Sequence, residues 1–248
     1  MRLVKLLFVS LACCVSGHVF ASCASVAKMV AFEGQVSIKP SGKVLKTSPG
    51  ALPRALCAGD EVHTFEGRAL LNDGRYSVAI DKFSVAAFNG VGKTALDKGQ
   101  ALFEVRKSKA AAGVEIKTRL SVIGVKGTRF LVEDDKDSVS VVLDQGSVDI
   151  ASTQGPVELY REKPVAQQSE RDEFEDLVRK KAEAIAGEQA AFDQYKAQVE
   201  REFVDYVENL VLEAGKELVT TGRVAVERNI SGESAKAMKS LIDWQGKQ

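Results

Sequence analysis

The chain has no surplus of charge of either sign, since lysine plus arginine and aspartate plus glutamate each total 34 of its 248 residues. Without a net positive field it has little with which to hold a polyanion, so nucleic acid is excluded as an expected partner. Histidine is almost missing, with two in the whole chain, His18 and His63. No Cys/His cluster with zinc spacing exists, and a Ser-His-Asp triad would have to be built on His63 alone. Aromatic residues make up only 6%, with a single tryptophan. What is present, 45% hydrophobic and 27% charged residues, rules out disorder and collagen-like repeats and gives one or two domains a real core. No catalytic, cofactor-binding or metal-ligating set stands out, so the expectation is a non-enzyme without a cofactor.

Residues 1–21 have the layout of a secretory signal peptide. Arg2 and Lys5 precede the apolar run LLFVSLACCVSG, and Val19-Phe20-Ala21 supplies a small-residue cleavage signal before Ser22. Ser16, Gly17 and His18 interrupt the run before it reaches the roughly 20 apolar residues of a membrane span. Cleavage after Ala21 and export to the periplasm are expected, and no second hydrophobic stretch of that strength follows. Of four cysteines, Cys13 and Cys14 leave with the leader, and Cys23 and Cys57 remain. In an oxidising compartment these two can pair. Alternatively Phe20-Ala21-Ser22-Cys23 is a lipoprotein site, in which Cys23 is acylated and tethers the protein to the membrane, or both thiols stay free.

Two periodicities divide the rest. From Val30 to Ser152 short apolar runs alternate, among them Tyr76 to Ile80, Ala101 to Val105, Phe130 to Val132 and Val139 to Leu143, which predicts half-buried strands. Turn chemistry separates them at Ala58-Gly59-Asp60, Asn72-Asp73-Gly74, Asn89-Gly90, Asp97-Lys98-Gly99 and Asp144-Gln145-Gly146. From about Ser169 to Ala214 proline is absent and Glu, Lys, Gln and Ala abound, which predicts a long helix. Its stripe would be Phe174, Val178, Ile185, Phe192, Val199, Phe203, Tyr206 and Leu210, a face to be covered by this chain or by a partner. A short last helix carries Met238, Leu241 and Trp244, the tryptophan as a docking anchor. The fold class is therefore α+β in two segregated parts. An all-β domain spans 22–152, a linker 153–168 and a helical region with one long helix 169–248.

Three stretches of the β half resemble the FecR-domain family of exported bacterial proteins. The first is Leu56-Cys57-Ala58-Gly59-Asp60-Glu61-Val62 followed by Gly67-Arg68-Ala69-Leu70-Leu71-Asn72-Asp73-Gly74. The second is Leu96-Asp97-Lys98-Gly99-Gln100-Ala101-Leu102-Phe103-Glu104-Val105. The third joins Ile116-Lys117-Thr118 to Val122-Ile123-Gly124-Val125-Lys126-Gly127-Thr128-Arg129-Phe130-Leu131-Val132 and then to Val141-Val142-Leu143-Asp144-Gln145-Gly146-Ser147-Val148. Together they cover roughly 28–152 in the family's order. The resemblance implies a β-roll or sandwich, with Gly59, Asp60, Asp73, Gly74, Gly99, Gly127, Thr128, Phe130 and Gly146 as structural parts. Gly127 would permit tight backbone geometry, the Thr128 hydroxyl would satisfy a nearby amide and Phe130 would point into the core. It also implies the cysteine pair, one before the first strand and one before the Gly-Asp turn. In the best-known members the module is the periplasmic part of a regulator that couples an outer-membrane receptor to a sigma factor, behind a cytoplasmic domain and a membrane span. This chain starts instead with what reads as a leader, so a free periplasmic binding or signalling accessory module is expected. Its partner would be another envelope protein or a cell-wall component, met at an exposed strand edge or at loops. Self-association through the long helix, or a lipid tether at Cys23, is the structural alternative.

Two further patterns offer no chemistry. Ala87-Phe88-Asn89-Gly90-Val91-Gly92-Lys93-Thr94 satisfies a loosened phosphate-loop pattern, but Asp97-Lys98-Gly99 leaves no room for the helix that must begin at its Lys-Thr, so no nucleotide is expected. The carboxylates Glu133-Asp134-Asp135 and Asp172-Glu173 sit in turn-like or helix-start positions, where solvated or capping roles are expected.

Overall fold

Most of the period-two runs become strands in the computed structural model, which describes residues 23–106, 113–161 and 205–248. In chain order they are β1 (Ser25–Glu33), β2 (Val36–Lys39), β3 (Arg54–Cys57), β4 (Asp60–Thr64), β5 (Arg68–Asn72), β6 (Tyr76–Ile80), β7 (Val85–Gly90), β8 (Lys93–Val105) and β9 (Val114–Lys117). There follow β10 (Ser121–Val125), β11 (Arg129–Asp134), β12 (Val139–Gln145), β13 (Ser147–Ser152) and β14 (Val157–Arg161). The described C-terminal part adds β15 (Asp205–Val207), β16 (Asn209–Glu213), β17 (Lys216–Thr221), β18 (Val224–Asn229) and one helix, α1 (Gly232–Gln245).

Hydrogen-bonded pairing arranges these strands in two sheets that share β8. The first runs β3-β1-β5-β6-β8-β11-β12-β17-β18-β14-β15. The second runs β2-β4-β7-β8-β9-β10-β13-β16. Neighbours are antiparallel except for β8 with β9 and β14 with β18. The N-terminal part of β8 pairs with β7, and from Gly99 onward it pairs with β11 in the other sheet. Gly99 makes that corner possible, because its φ is +87° and a Cβ there would come within 2.7 Å of the Ser84 Cα.

The inward residues of both sheets form one core, in which Phe88, Phe103 and Phe130 are fully buried. The Phe103 and Phe130 rings stack with centroids 5.3 Å apart. On the opposite face of the first sheet Leu70, Ala79, Leu102, Leu131 and Val142 meet Met238, Leu241 and Trp244 of α1. The central strands of that sheet are therefore buried on both faces, not on one as the alternation alone predicts. That is why they read as unbroken apolar triplets such as Ala69-Leu70-Leu71 and Phe130-Leu131-Val132. Ser231 caps α1 by accepting a hydrogen bond from the Ser234 N–H at 3.1 Å.

The C-terminal expectation needs correction. The stripe residues Phe174 to Phe203 lie outside the described residues, but Asp205–Asn229 is four strands, and 153–168 is not simply a linker, because β14 falls within it. Tyr206 and Leu210 fit a four-residue helical spacing, yet Leu210 and Leu212 point inward while Val211 is 58% exposed, which is a period of two. These strands pair with β12 and β13, so tertiary hydrogen bonding overrides a helical composition. Among the described residues the chain is mostly β-sheet with one C-terminal helix, and from residue 205 to 229 strands stand where helix was expected.

Candidate interaction surface

The residues singled out by motif are consumed by the fold. Asp60, 6% exposed, accepts hydrogen bonds from the Ser41 N–H at 2.8 Å and the Cys57 N–H at 2.9 Å, locking the Gly59-Asp60 turn to the loop before it. Asp73 does the same across two hairpins. It accepts from Arg75 N–H and Tyr76 N–H beside Gly74, and from the Gly92 N–H at 3.0 Å in the β7–β8 turn. Gly127 and Gly146 face each other at the ends of β11 and β12, where a Cβ on Gly146 would sit 2.9 Å from the Gly127 carbonyl oxygen. Thr128 is buried there with its methyl toward Gly146, but its hydroxyl has no hydrogen-bond partner among the described residues, so it satisfies no amide. Its contribution is packing.

The remaining polar groups make local pairs. Glu61 accepts from Lys39 Nζ at 2.7 Å and lies 2.9 Å from His63 Nε2. The Lys39 ammonium, and secondarily His63, hold the Glu61 carboxyl below its ordinary value despite partial burial. His63 is not an exposed residue, as its side chain is 13% accessible. Ser37 stands opposite it in the ladder, but the Ser37 hydroxyl is buried without a partner, so the histidine turns to a carboxylate and not to a nucleophile. Asp134, expected to be solvated, is 1% exposed and accepts from Arg119 Nε at 2.6 Å and from the Arg119 N–H at 3.1 Å. Residues 87–94 form the β7–β8 hairpin, with Thr94 in the strand and its hydroxyl hydrogen-bonded to Tyr76. Burial drives the Tyr76 phenol well above its ordinary value. Among the described residues no group of three or more His, Cys, Asp or Glu is placed to hold a metal ion.

What is left for recognition is edge and loop. The β16 strand pairs only with β13 among the described strands, leaving one side open. The Ser152 N–H donates to the Glu208 carbonyl, so by alternation Leu210 and Leu212 direct their backbone groups to β13 and Asn209, Val211 and Glu213 direct theirs outward. At the opposite side of the same sheet, the β2–β3 loop exposes Val44 and Leu45. Nearby, Cys23 and Cys57 are bonded to each other with their Cα atoms 5.8 Å apart, tying the start of the described chain to β3.

Residues 62–149, from β4 into β13, match the family model described as FecR protein. That stretch of the chain is similar to the FecR domain. The matched stretch lies inside the 28–152 covered by the motif resemblance, and its structural residues are those that close the turns and fill the core between the two sheets. Two crystal structures of a candidate anti-sigma factor from Parabacteroides distasonis ATCC 8503, at 1.65 and 2.50 Å resolution, are similar to this chain at TM-scores of 0.44 and 0.43. Identity to them is 10% and 11%, and the alignments cover 71% of this chain and 63% and 62% of those chains. The chain thus spans less than two thirds of the solved structures it matches. No curated protein matches it.

Proposed function

We propose that this FecR-domain protein is a non-enzymatic binding and signalling accessory of the bacterial periplasm, recognising another envelope protein or a cell-wall component by strand addition at β16. The observation that carries the reading is the open edge itself. Asn209, Val211 and Glu213 present backbone groups outward that have no partner among the described residues, while their neighbours are anchored to β13, and the family's signature residues are spent on turns and core. A signalling regulator is consistent with the family, and main-chain pairing needs no catalytic side chain. The leader-like residues 1–21 and the Cys23–Cys57 pair support an oxidising compartment.

Intact mass of the protein purified from the cell envelope, before and after reduction and alkylation, tests the compartment. A chain starting at Ser22 that gains two alkyl groups only after reduction is the expected result. An acylated Cys23 with Cys57 alkylated without reduction would instead make it a tethered lipoprotein. Val211→Pro tests the edge, since it removes an outward N–H that the fold does not use. Cross-linking in cells should capture a defined partner with the natural chain and lose it in the variant. Equal capture by both removes the edge reading, and a cross-linked product consisting of the chain with itself replaces accessory binding with self-association.

A further inference from the structure

From Gly34 to Gly59 the chain has no acidic residue and four basic ones, Lys39, Lys43, Lys46 and Arg54. Lys39 is paired with Glu61, whereas Lys43, Lys46 and Arg54 form no ion pair among the described residues. The middle of this stretch is the β2–β3 loop. Its base is fixed by the Ile38–Thr47 bridge, with both backbone hydrogen bonds at 2.7 Å, and by the Ser41 N–H on Asp60. The segment so pinned bends at Val44 and Leu45, which are 90% and 80% exposed and flanked directly by Lys43 and Lys46. Two adjacent aliphatic side chains at a pinned tip gain nothing from the fold, since neither touches the core.

A further exposed apolar residue, Phe83, is linked to the loop through Phe65. Lys46 Nζ sits 5.5 Å from the centre of the Phe65 ring, and the Phe65 carbonyl accepts the Phe83 N–H at 2.9 Å. Phe83 is 58% exposed and holds φ at +56°, the only left-handed non-glycine residue among those described. A phenylalanine there bears backbone strain and leaves much of its ring in water, so folding supplies no reason for it.

We infer that the Lys43-Val44-Leu45-Lys46 tip, with Phe83 as a second contact, docks on an anionic phospholipid surface. Val44 and Leu45 line neither of the two main pockets among the described residues and are almost wholly exposed, so they offer no cleft to grip a peptide. The tip places two aliphatic side chains where they can enter the acyl boundary, with lysines on either side at the height of lipid phosphates. Charge complementarity selects the occupant, because the loop carries only basic side chains and the carboxylates at its base are engaged, Asp60 by the Ser41 and Cys57 N–H groups and Glu61 by Lys39, so attraction to an anionic bilayer adds to the apolar insertion. This site is distinct from the β16 edge and does not depend on it.

The test is co-flotation of the purified full-length protein with vesicles, comparing chains whose start residue has been checked to be identical. Binding is expected to vesicles of phosphatidylcholine with 30% phosphatidylglycerol, roughly tenfold weaker binding to phosphatidylcholine alone, and weakening as salt rises. Val44→Ser with Leu45→Ser should lower the partition coefficient at least about tenfold without changing the melting temperature, because neither side chain is buried. Phe83→Asn should bind less while melting no lower, since asparagine tolerates the left-handed conformation. Absence of binding to the anionic vesicles, equal binding to neutral ones, or full binding by the Val44/Leu45 variant would each overturn the inference. A Val211→Pro protein that still floats with vesicles but has lost its cross-linked partner separates this site from the proposed protein partner.

Discussion

Glu217 holds the start of α1 to the first sheet, and its removal gives the most discriminating test of how the helix is attached. The carboxylate is 2% exposed on β17. It accepts the Ser231 N–H at 3.0 Å, the Ser234 hydroxyl at 2.8 Å and the Ser140 hydroxyl at 3.1 Å, with the Arg228 guanidinium at 3.4 Å. Burial pushes this carboxyl up, but the Ser231 N–H, the Ser234 hydroxyl and Arg228 together outweigh that and leave it below its ordinary value. Breaking a buried charged pair from one side costs about 3–5 kcal/mol. Arg228 keeps 38% of its side chain in water and can rehydrate, so the loss in Glu217→Ala comes mainly from the Ser231 N–H and two hydroxyls left unpaired. A destabilisation of about 3 kcal/mol is expected at pH 7, and about 1–2 kcal/mol for Glu217→Gln, which keeps one acceptor oxygen but turns an amide N–H₂ toward donors. Trp244, the only tryptophan, is 6% exposed on the docked helix and reports its release by a red shift in urea unfolding. Because the folded-state value is depressed, the contribution is fully present above the unfolded value of about 4.3 and is lost as pH falls through the folded one. The gap between natural and Glu217→Ala proteins should therefore narrow as pH falls below the unfolded value. Identical unfolding midpoints at pH 7, or a gap that widens as the carboxylate is protonated, would refute the reasoning.

Other sites give independent checks. Leu241→Ala opens a hole between α1 and the first sheet where the side chain is fully buried, so urea unfolding should show a loss of about 3 kcal/mol. Gly99→Ala forces a Cβ against Ser84 at φ +87°, and a loss of at least about 2 kcal/mol, read by thermal melting, is expected. Reducing the Cys23–Cys57 bridge, which closes a loop with a sequence separation of 34, should cost about 3–4 kcal/mol, with Cys57→Ser showing the same loss and no further response to reductant.

Much of the β half was legible because its information is local. Turn residues at Gly59-Asp60, Asn72-Asp73-Gly74 and Asp144-Gln145-Gly146 fix where the chain reverses, and a period of two fixes which residues face inward. The corner at Gly99 was visible as a turn signal but not as the passage of one strand between two sheets, since that depends on the distant Ser84. The β15–β18 strands were misread because Tyr206 and Leu210 satisfy a helical spacing and glutamate-rich composition favours helix. The pairing that decides otherwise, with β12 and β13, involves residues more than fifty positions away. The role of Glu217 was equally hidden, as its partners Ser140, Arg228, Ser231 and Ser234 gather only when β17, β12 and α1 meet. Its one local trace was a carboxylate set directly before the apolar pair Leu218-Val219.

The turns, most of the strands, the FecR-like motifs and the cysteines available for pairing follow from short-range backbone chemistry or residue identity and can be read in short windows. Packing alone brings the C-terminal strands into the same two sheets, lays α1 over one face of the first sheet, and leaves Val44, Leu45, Phe83 and the β16 edge uncovered among the described residues. Burial and hydrogen-bond satisfaction are properties of the whole packed chain, and no window of neighbouring residues contains them.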